Sequence, residues 1–290
     1  MRDRVAVIGS SGMAGHVLAL YLRESGLSDV ADVGPRRKVF GGTVLCDLED
    51  PREVAGLLDR LDPGVLVNCT GVLIRASEER KGEAVWFNAY LPRLLSMLCA
   101  ERGVRLIHLS TDCVFSGRGG PYSENSLRDG DEFYDRSKAL GEVVEKGDLT
   151  IRTSIIGPEL RASGTGLFDW FMHADGQVKG YRRALWSGVT TLELAKFIRH
   201  LVSIQTGLRG LVHYSVEGGI SKYGLLGLIN ETMGSGKEIL PVDEPAIDKR
   251  LVCTRVDLGM SPAPYDRQIA EIAAWIASHE YLYPDYRMHK

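Results

Sequence analysis

Tyr134 and Lys138 stand four residues apart in the run YDRSK, so on a helix their side chains share one face and can reach a common ligand. A free phenol titrates near ~10, and an ammonium beside it stabilises the phenolate and brings proton transfer toward neutral pH. Such a pair makes an acid. The spacing alone recurs on many helices, and what gives it weight is the apolar run 104–109, which stops abruptly at Ser110, Thr111 and Asp112. Hydroxyls at the end of a strand sit on the C-terminal edge of a parallel sheet, where open α/β folds bind their ligands. Thr111 is placed there to hydrogen-bond a substrate carbonyl beside Tyr134. Asp112 reads either as a polar contact to substrate or as a turn-capping carboxylate.

A second constellation opens the chain. The apolar run VAVI at 5–8 leads directly into GSSGMAG, whose Gly9, Gly12 and Gly15 are spaced three apart. In that position glycines let backbone N–H groups approach a pyrophosphate, and the following helix adds the positive end of its dipole. The spacing is GxxGxxG where many dehydrogenases have GxGxxG. Asp32, toward the end of a second predicted strand, can serve an adenosine ribose hydroxyl, whereas Arg36 and Arg37 just after it can pair with the additional 2′-phosphate of NADP. Two adjacent arginines exceed what a ribose hydroxyl uses, so NADP(H) is favoured and NAD(H) is the alternative. Asp47 with Leu48 is placed to meet the adenine edge, or Asp47 caps the helix that begins at Pro51.

These side chains need a scaffold that ends several strands on one edge. In the first half, short apolar runs alternate with longer amphipathic ones, the pattern of βαβ units stacking into a parallel sheet. Strands are predicted at 5–8, 29–33, 42–45, 65–67, 104–109 and 149–153, and helices at 13–22, 51–61, 85–102 and 134–146. Right-handed connections put helices on both faces, giving an α/β Rossmann fold with a doubly wound parallel sheet. Residues 116–133 are polar and rich in Gly and Pro, and read as an irregular surface loop. The expected division is an NAD(P)-binding domain over 1–157 and a smaller C-terminal substrate-binding lobe over 158–290, with about 186–206 packing back on the first domain. Between 160 and 190 the aromatics Phe168, Trp170, Phe171, Tyr181 and Trp186 mix with Lys179, Arg182 and Arg183, a composition suited to ligand contact. Those three cations and Trp186 are candidates for the substrate, the cations for its diphosphate. Helices follow at 192–204, 223–233 and 266–279 and a strand at 211–216, with Trp275 as a packing residue.

Composition excludes several classes. With 35 basic and 38 acidic side chains, the 290-residue chain carries a formal net charge of -3, so no global field draws it to nucleic acid or anionic lipid. An anionic ligand has to be caught locally. No apolar run approaches the ~18 residues of a membrane span, and the first one meets a glycine turn too early for a secretion signal. Cys46, Cys69, Cys99, Cys113 and Cys253 are odd in number and never form a CxxC pair, which argues against a disulfide framework or zinc knuckle and for a reducing cytoplasm. The seven histidines are dispersed, so no metal is expected. His108 reads as a satisfied core residue and Cys113 as a packing one, since nothing adjacent lowers its pKa. No GxSxG pentapeptide marks the nucleophile elbow of a serine hydrolase.

Taken together, these residues resemble the extended short-chain dehydrogenase/reductase family. The likeness is carried by GSSGMAG, NCTG at 68–71, Asn88, STDCVFSG at 110–117, PYSE at 121–124, YDRSK at 134–138 and IRTSIIG at 151–157. STDxVF with PYxE and IRTS, and the segments at 186–198 and 210–225, are similar to its dTDP-4-dehydrorhamnose reductase branch of nucleotide-sugar 4-keto reductases. The resemblance implies a catalytic set of Thr111, Tyr134 and Lys138. Tyr134 would protonate the carbonyl oxygen, Lys138 would lower its pKa and grip the nicotinamide ribose, and Thr111 would fix the carbonyl. Gly9, Ser11, Gly12 and Met13 would hold the pyrophosphate, while Asp47, Leu48, Cys69, Thr70 and Gly71 would line the adenosine side. The chain departs from the branch at Cys113, where an aromatic is usual, and at GPRR (34–37), where the arginine is placed more regularly. The implied reaction moves hydride from NADPH to the 4-keto carbon of a nucleotide-diphosphate-linked 6-deoxyhexose. The same scaffold serves NAD-retaining epimerases and dehydratases and, among relatives of this branch, non-catalytic regulatory subunits; a homodimer is compatible with it.

Overall fold

Residues Val5–Ile8 are wholly buried, with Val5 and Val7 facing one apolar core and Ala6 and Ile8 the other. A parallel strand covered on both faces must be apolar in this continuous way. The computed structural model describes residues 4–27, 29–35, 38–160, 164–204 and 207–286. The first half runs β1 (Val5–Ile8), α1 (Met13–Glu24), β2 (Val30–Gly34), β3 (Val44–Leu45), α2 (Pro51–Leu61) and β4 (Val65–Asn68). Two short helices, α3 (Ile74–Glu79) and α4 (Lys81–Ala84), lead through a π-helical turn at Val85–Tyr90 into α5 (Leu91–Arg102). Then come β5 (Arg105–Thr111), α6 (Phe133–Leu140) and β6 (Leu149–Thr153). The second half contributes β7 (Ile155–Ile156), α7 (Leu167–His173), β8 (Gln177–Tyr181), β9 (Ala184–Trp186), β10 (Val189–Thr190) and α8 (Thr191–Ser203). It ends with β11 (Gly210–His213), β12 (Ile220–Ser221), α9 (Lys222–Met233), β13 (Glu238–Val242), β14 (Ile247–Asp248) and α10 (Tyr265–Ser278).

Seven strands form one parallel sheet in the order β11-β6-β5-β4-β1-β2-β3. The doubly wound α/β architecture expected from the alternation is therefore present. Strand order reverses between β1 and β4, which opens a crevice at their C-terminal ends, directly over the glycine turn and residues 69–71. On one face Leu57, Leu58, Leu94, Leu95 and Leu98 of α2 and α5 form the core, and on the other Val17, Leu18, Phe197, Ile198, Ile272 and Ile276 of α1, α8 and α10 do. The second half thus completes the sheet through β11 and covers it through α8. Its remaining strands make small sheets, one of them β12-β9-β14.

Local chemistry explains the boundaries. Asp50 caps α2 by accepting from the Arg52 N–H at 2.8 Å, and Pro51 occupies the first turn. The loop between β5 and α6 is anchored to the second half: the Tyr122 N–H donates to the Arg250 carbonyl at 2.8 Å, and Phe115 stacks on Tyr122 at 4.2 Å. Phe168 and Phe171, which composition placed near ligand, are fully buried core. Among the described residues no helix is long and apolar enough to cross a membrane. All five cysteines are free.

Candidate active site

The glycine turn follows β1 at the crevice. Gly9 has φ +88°, and a Cβ on Gly15 would stand 2.2 Å from the Gly9 carbonyl oxygen, so both positions require glycine. The turn closes through the Gly12 N–H donating to the Gly9 carbonyl at 3.0 Å. No side chain caps α1, which leaves the N–H groups of its first turn free for an anion, and the buried Ser10 hydroxyl has no partner among the described residues. A backbone cradle at the positive end of a twelve-residue helix fits a dinucleotide pyrophosphate. On its far side Cys69, Thr70 and Gly71 follow β4, with Thr70 donating through N–H and Oγ1 to Asn68 at 3.0 and 2.6 Å. Leu48 is buried and its carbonyl accepts from the Trp86 indole N–H at 2.9 Å, while Asp47 is exposed and its carboxylate accepts from the Glu49 N–H at 2.9 Å.

Asp32 does not face a ribose. It is fully buried within β2, bonded to Arg23 and accepting from Thr43 Oγ1 at 2.6 Å. The strand's period of two turns it inward, which removes the acid that would compete with a 2′-phosphate. Arg36 and Arg37 lie outside the described residues.

β5 extends past the predicted stop to Thr111 and delivers it against α6. Thr111 and Tyr134 are neighbours, close enough for the Thr111 hydroxyl to act on the phenol, and both are buried. Thr111 Oγ1 also donates to Asp112 at 3.2 Å and accepts the Cys113 N–H at 3.1 Å. Burial, reinforced by the neighbouring Cys113, raises the Tyr134 phenol above the ordinary tyrosine value; the polar Thr111 hydroxyl beside it opposes this. The expected lowering by Lys138 is absent here for a geometric reason. Lys138, buried on the same helix, donates Nζ to the Leu109 carbonyl at 2.8 Å, and burial brings it down to about 8 against the opposing pull of Glu142. Its charge acts on Cys69 and His108. His108 is half satisfied: Nδ1 pairs with Asn68 Nδ2 at 3.1 Å, and Nε2 has no partner among the described residues. Burial pushes the Cys113 thiol to about 12, as expected of a packing residue.

Two buried networks hold this arrangement. Asn88, on the π-helical turn, accepts from the Val72 N–H at 2.8 Å and donates to the Val72 carbonyl at 3.0 Å and to Ser137 at 3.1 Å, tying the loop after β4 to α6. Beneath Thr111, Glu142 accepts from Ser110 at 2.8 Å, from Arg152 at 2.5 and 2.7 Å, and from Arg128 at 3.1 Å. Burial pushes Glu142 up, but these donors outweigh it and hold the carboxylate ionised.

Of the second-half candidates, only Trp186 comes to this corner. Arg182 forms a bidentate pair with Asp243 at 2.8 Å, Arg183 sits 3.6 Å from Glu244, and Lys179 is exposed on β8. These three are solvent-facing cations at the rim of a two-stranded sheet, engaged with neighbouring acids or water and not with Thr111 and Tyr134. Lys222 and Lys249 stand in their place, beside Asp112 and Cys113. Asp112 is itself buried, hydrogen-bonded to Thr111 and Ser154, and raised by burial. Short strands carry no periodicity by which to find Lys222 and Lys249; the only signal was Ser221 as a helix cap directly before Lys222. Among the described residues, no group of three or more His, Cys, Asp or Glu is placed to hold a metal ion.

The family described as RmlD substrate binding domain matches residues 3–251. The chain belongs to that family. It is 35% identical to the dTDP-4-keto-6-deoxy-D-glucose reductase of Streptomyces niveus over 145 residues, a match spanning 49% of this chain and 47% of that protein. It is 25% identical to methionine adenosyltransferase 2 subunit beta of Danio rerio over 96% of this chain and 92% of that protein. A solved structure of dTDP-4-dehydrorhamnose reductase from Bacillus anthracis, in complex with NADP, superposes with a TM-score of 0.80 at 19% identity, covering 95% of this chain and 100% of that one. The chain therefore shares its fold, over 95% of its length, with that dTDP-4-dehydrorhamnose reductase.

Proposed function

We propose that this chain is an NADPH-dependent reductase that delivers hydride to the 4-keto carbon of a nucleotide-diphosphate-linked 6-deoxyhexose. The observation that carries the reading is the juxtaposition of Tyr134 and Thr111, buried together at the C-terminal edge of the sheet with Lys138 one helical turn away. When bound, the dinucleotide supplies the hydride; the chain supplies orientation and the proton. Gly9, Ser11, Gly12 and Met13 would hold the pyrophosphate through the glycine cradle. Asp47, Leu48, Cys69, Thr70 and Gly71 would line the adenosine side, and Arg36 and Arg37 would take the 2′-phosphate, a role left uncontested by the engagement of Asp32 in the core.

Burial keeps the phenol of Tyr134 protonated through the neutral range, so it meets the carbonyl as a donor. Thr111, beside that phenol, would turn its hydroxyl to the carbonyl oxygen and hold it for protonation. Lys138 would grip the ribose, its ammonium held at the helix face by the Leu109 carbonyl. Asp112 and Trp186 would meet the sugar. Residues 158–290 would form the substrate lobe in the sense of ligand contact, although β11 and α8 belong to the main sheet and its cover.

The likeness to methionine adenosyltransferase 2 subunit beta along most of both chains favours a second reading, a non-catalytic subunit that keeps the nucleotide fold. Tyr134→Phe separates the two. On the reductase reading the variant binds NADPH like wild type and loses turnover of nucleotide-linked 4-keto sugars. A wild-type protein that binds NADPH, turns over none of them and co-purifies with a partner enzyme favours the subunit.

A further inference from the structure

Three short strands outside the main sheet converge on the corner occupied by Thr111 and Tyr134. β12 and β14 flank β9, with Ile220 opposite Trp186 and Asp248 opposite Leu185. The next residues along are Lys222, which opens α9, and Lys249, whose N–H donates to the Leu185 carbonyl at 3.3 Å. This register sets Lys222 Nζ 5.1 Å from the centroid of the Trp186 ring and brings Lys249 to the same side of the corner, beside Asp112 and Cys113. Both charges act on Asp112 and Cys113, the residues directly after Thr111; Lys249 acts in addition on Asp135, directly after Tyr134.

The placement of Lys222 is costly without an anion. It occupies the first turn of a twelve-residue helix, at the positive end of the dipole, where an acid is the favourable residue. Burial further disfavours its charge. Among the described residues neither Lys222 nor Lys249 forms an ion pair with a carboxylate. An indole face, a helix N-terminus and two ammoniums without a salt bridge, all beside the proposed proton donor, make a receptor for negative charge.

We propose that Lys222 and Lys249 are specificity-determining residues that read an anionic group of the substrate, its linking diphosphate or a sugar carboxylate, while Thr111 and Tyr134 hold the carbonyl. The inference rests on the reductase reading for its substrate, but its binding test does not need turnover. NADPH-loaded wild type, Lys222→Met and Lys249→Met are titrated calorimetrically with dTDP, UDP and glucuronate, and their thermal unfolding is compared. The expected result is anion affinity weakened about ten-fold or more in each Met variant, with NADPH affinity unchanged and Lys222→Arg retaining most of the affinity. In steady state with a nucleotide-linked keto sugar, KM rises more than kcat falls. Equal weakening toward dTDP and UDP identifies the diphosphate as the group read, whereas weakening toward glucuronate alone identifies a carboxylate.

A second readout uses the native sequence: anion binding shifts the tryptophan emission of wild type and not that of Trp186→Phe. Unchanged affinity for all three anions in folded Met variants overturns the proposal, as does an emission that saturating anion leaves unmoved. Failure of the reductase reading looks different. It appears as absence of NADPH oxidation by wild type, with the dependence of anion affinity on the two lysines intact.

Discussion

At the switch point between β1 and β4 the wall of the cleft is backbone: a glycine turn too tight for any Cβ at Gly15, and the N–H groups of an uncapped helix start. On the opposite wall, where β9, β12 and β14 meet, it is side chain: Trp186 at the end of β9, Lys222 at the start of α9 and Lys249 directly after β14. The first wall recognises a group common to all dinucleotides and is fixed by sterics. The second is a set of charges on short elements that can change without disturbing the main sheet. On the proposed reading, the chemistry is held by the conformationally strict side and the selectivity by the permissive one.

Several measurements would break or sharpen that contrast. Lys138→Met should cost the most, about 10²–10⁴-fold in kcat/KM, because it removes the ammonium from the helix face that carries the proton donor. The wild-type pH profile checks the same group: kcat/KM should fall as pH rises through about 8, where Lys138 loses its proton. Stability moves the other way. The unfolded lysine keeps its proton to ~10.5, so between about 8 and that value the unfolded state binds more protons and folding stability from this group rises with pH.

Glu142→Gln, beneath Thr111, should lower stability by about 3–5 kcal/mol in denaturant unfolding, since it strands the buried Arg152 guanidinium. A loss below ~1 kcal/mol would show that the network does not hold the strict side together. Gly15→Ala should cost about 1–3 kcal/mol and weaken NADPH binding, as the turn must open to admit a Cβ. At the other extreme, Arg182→Ala should leave both melting temperature and KM at wild-type values, because its pair with Asp243 is exposed on both sides. A raised KM would return this residue to the substrate site.

The parallel sheet was readable because strands buried on both faces are apolar throughout and because Pro51 marks a helix start locally, although the acid that caps that helix is Asp50 and not Asp47. α6 was predicted to reach residue 146 and stops at Leu140. The cause is tertiary: the Asn88 carbonyl approaches Gly141 so closely that a Cβ there would lie 1.8 Å from it. The same packing underlies the π-helical turn at Val85–Tyr90, where the amphipathic pattern predicted continuous α-helix. The orientation of Asp32 was not readable, because proximity to a strand end does not reveal which way the side chain points. Tyr134, Lys138 and Thr111 were found through motif and sheet edge, whereas Lys222 and Lys249 depend on pairing between strands too short to announce themselves.

The central claim is hydride delivery to a sugar carbonyl with Tyr134 as proton donor, and its most direct test is stoichiometry. With purified wild type and a nucleotide-linked 4-keto-6-deoxyhexose, the account predicts one NADPH oxidised for each keto group reduced. Sugar conversion without net NADPH consumption, or no oxidation across a panel of such sugars, would contradict it.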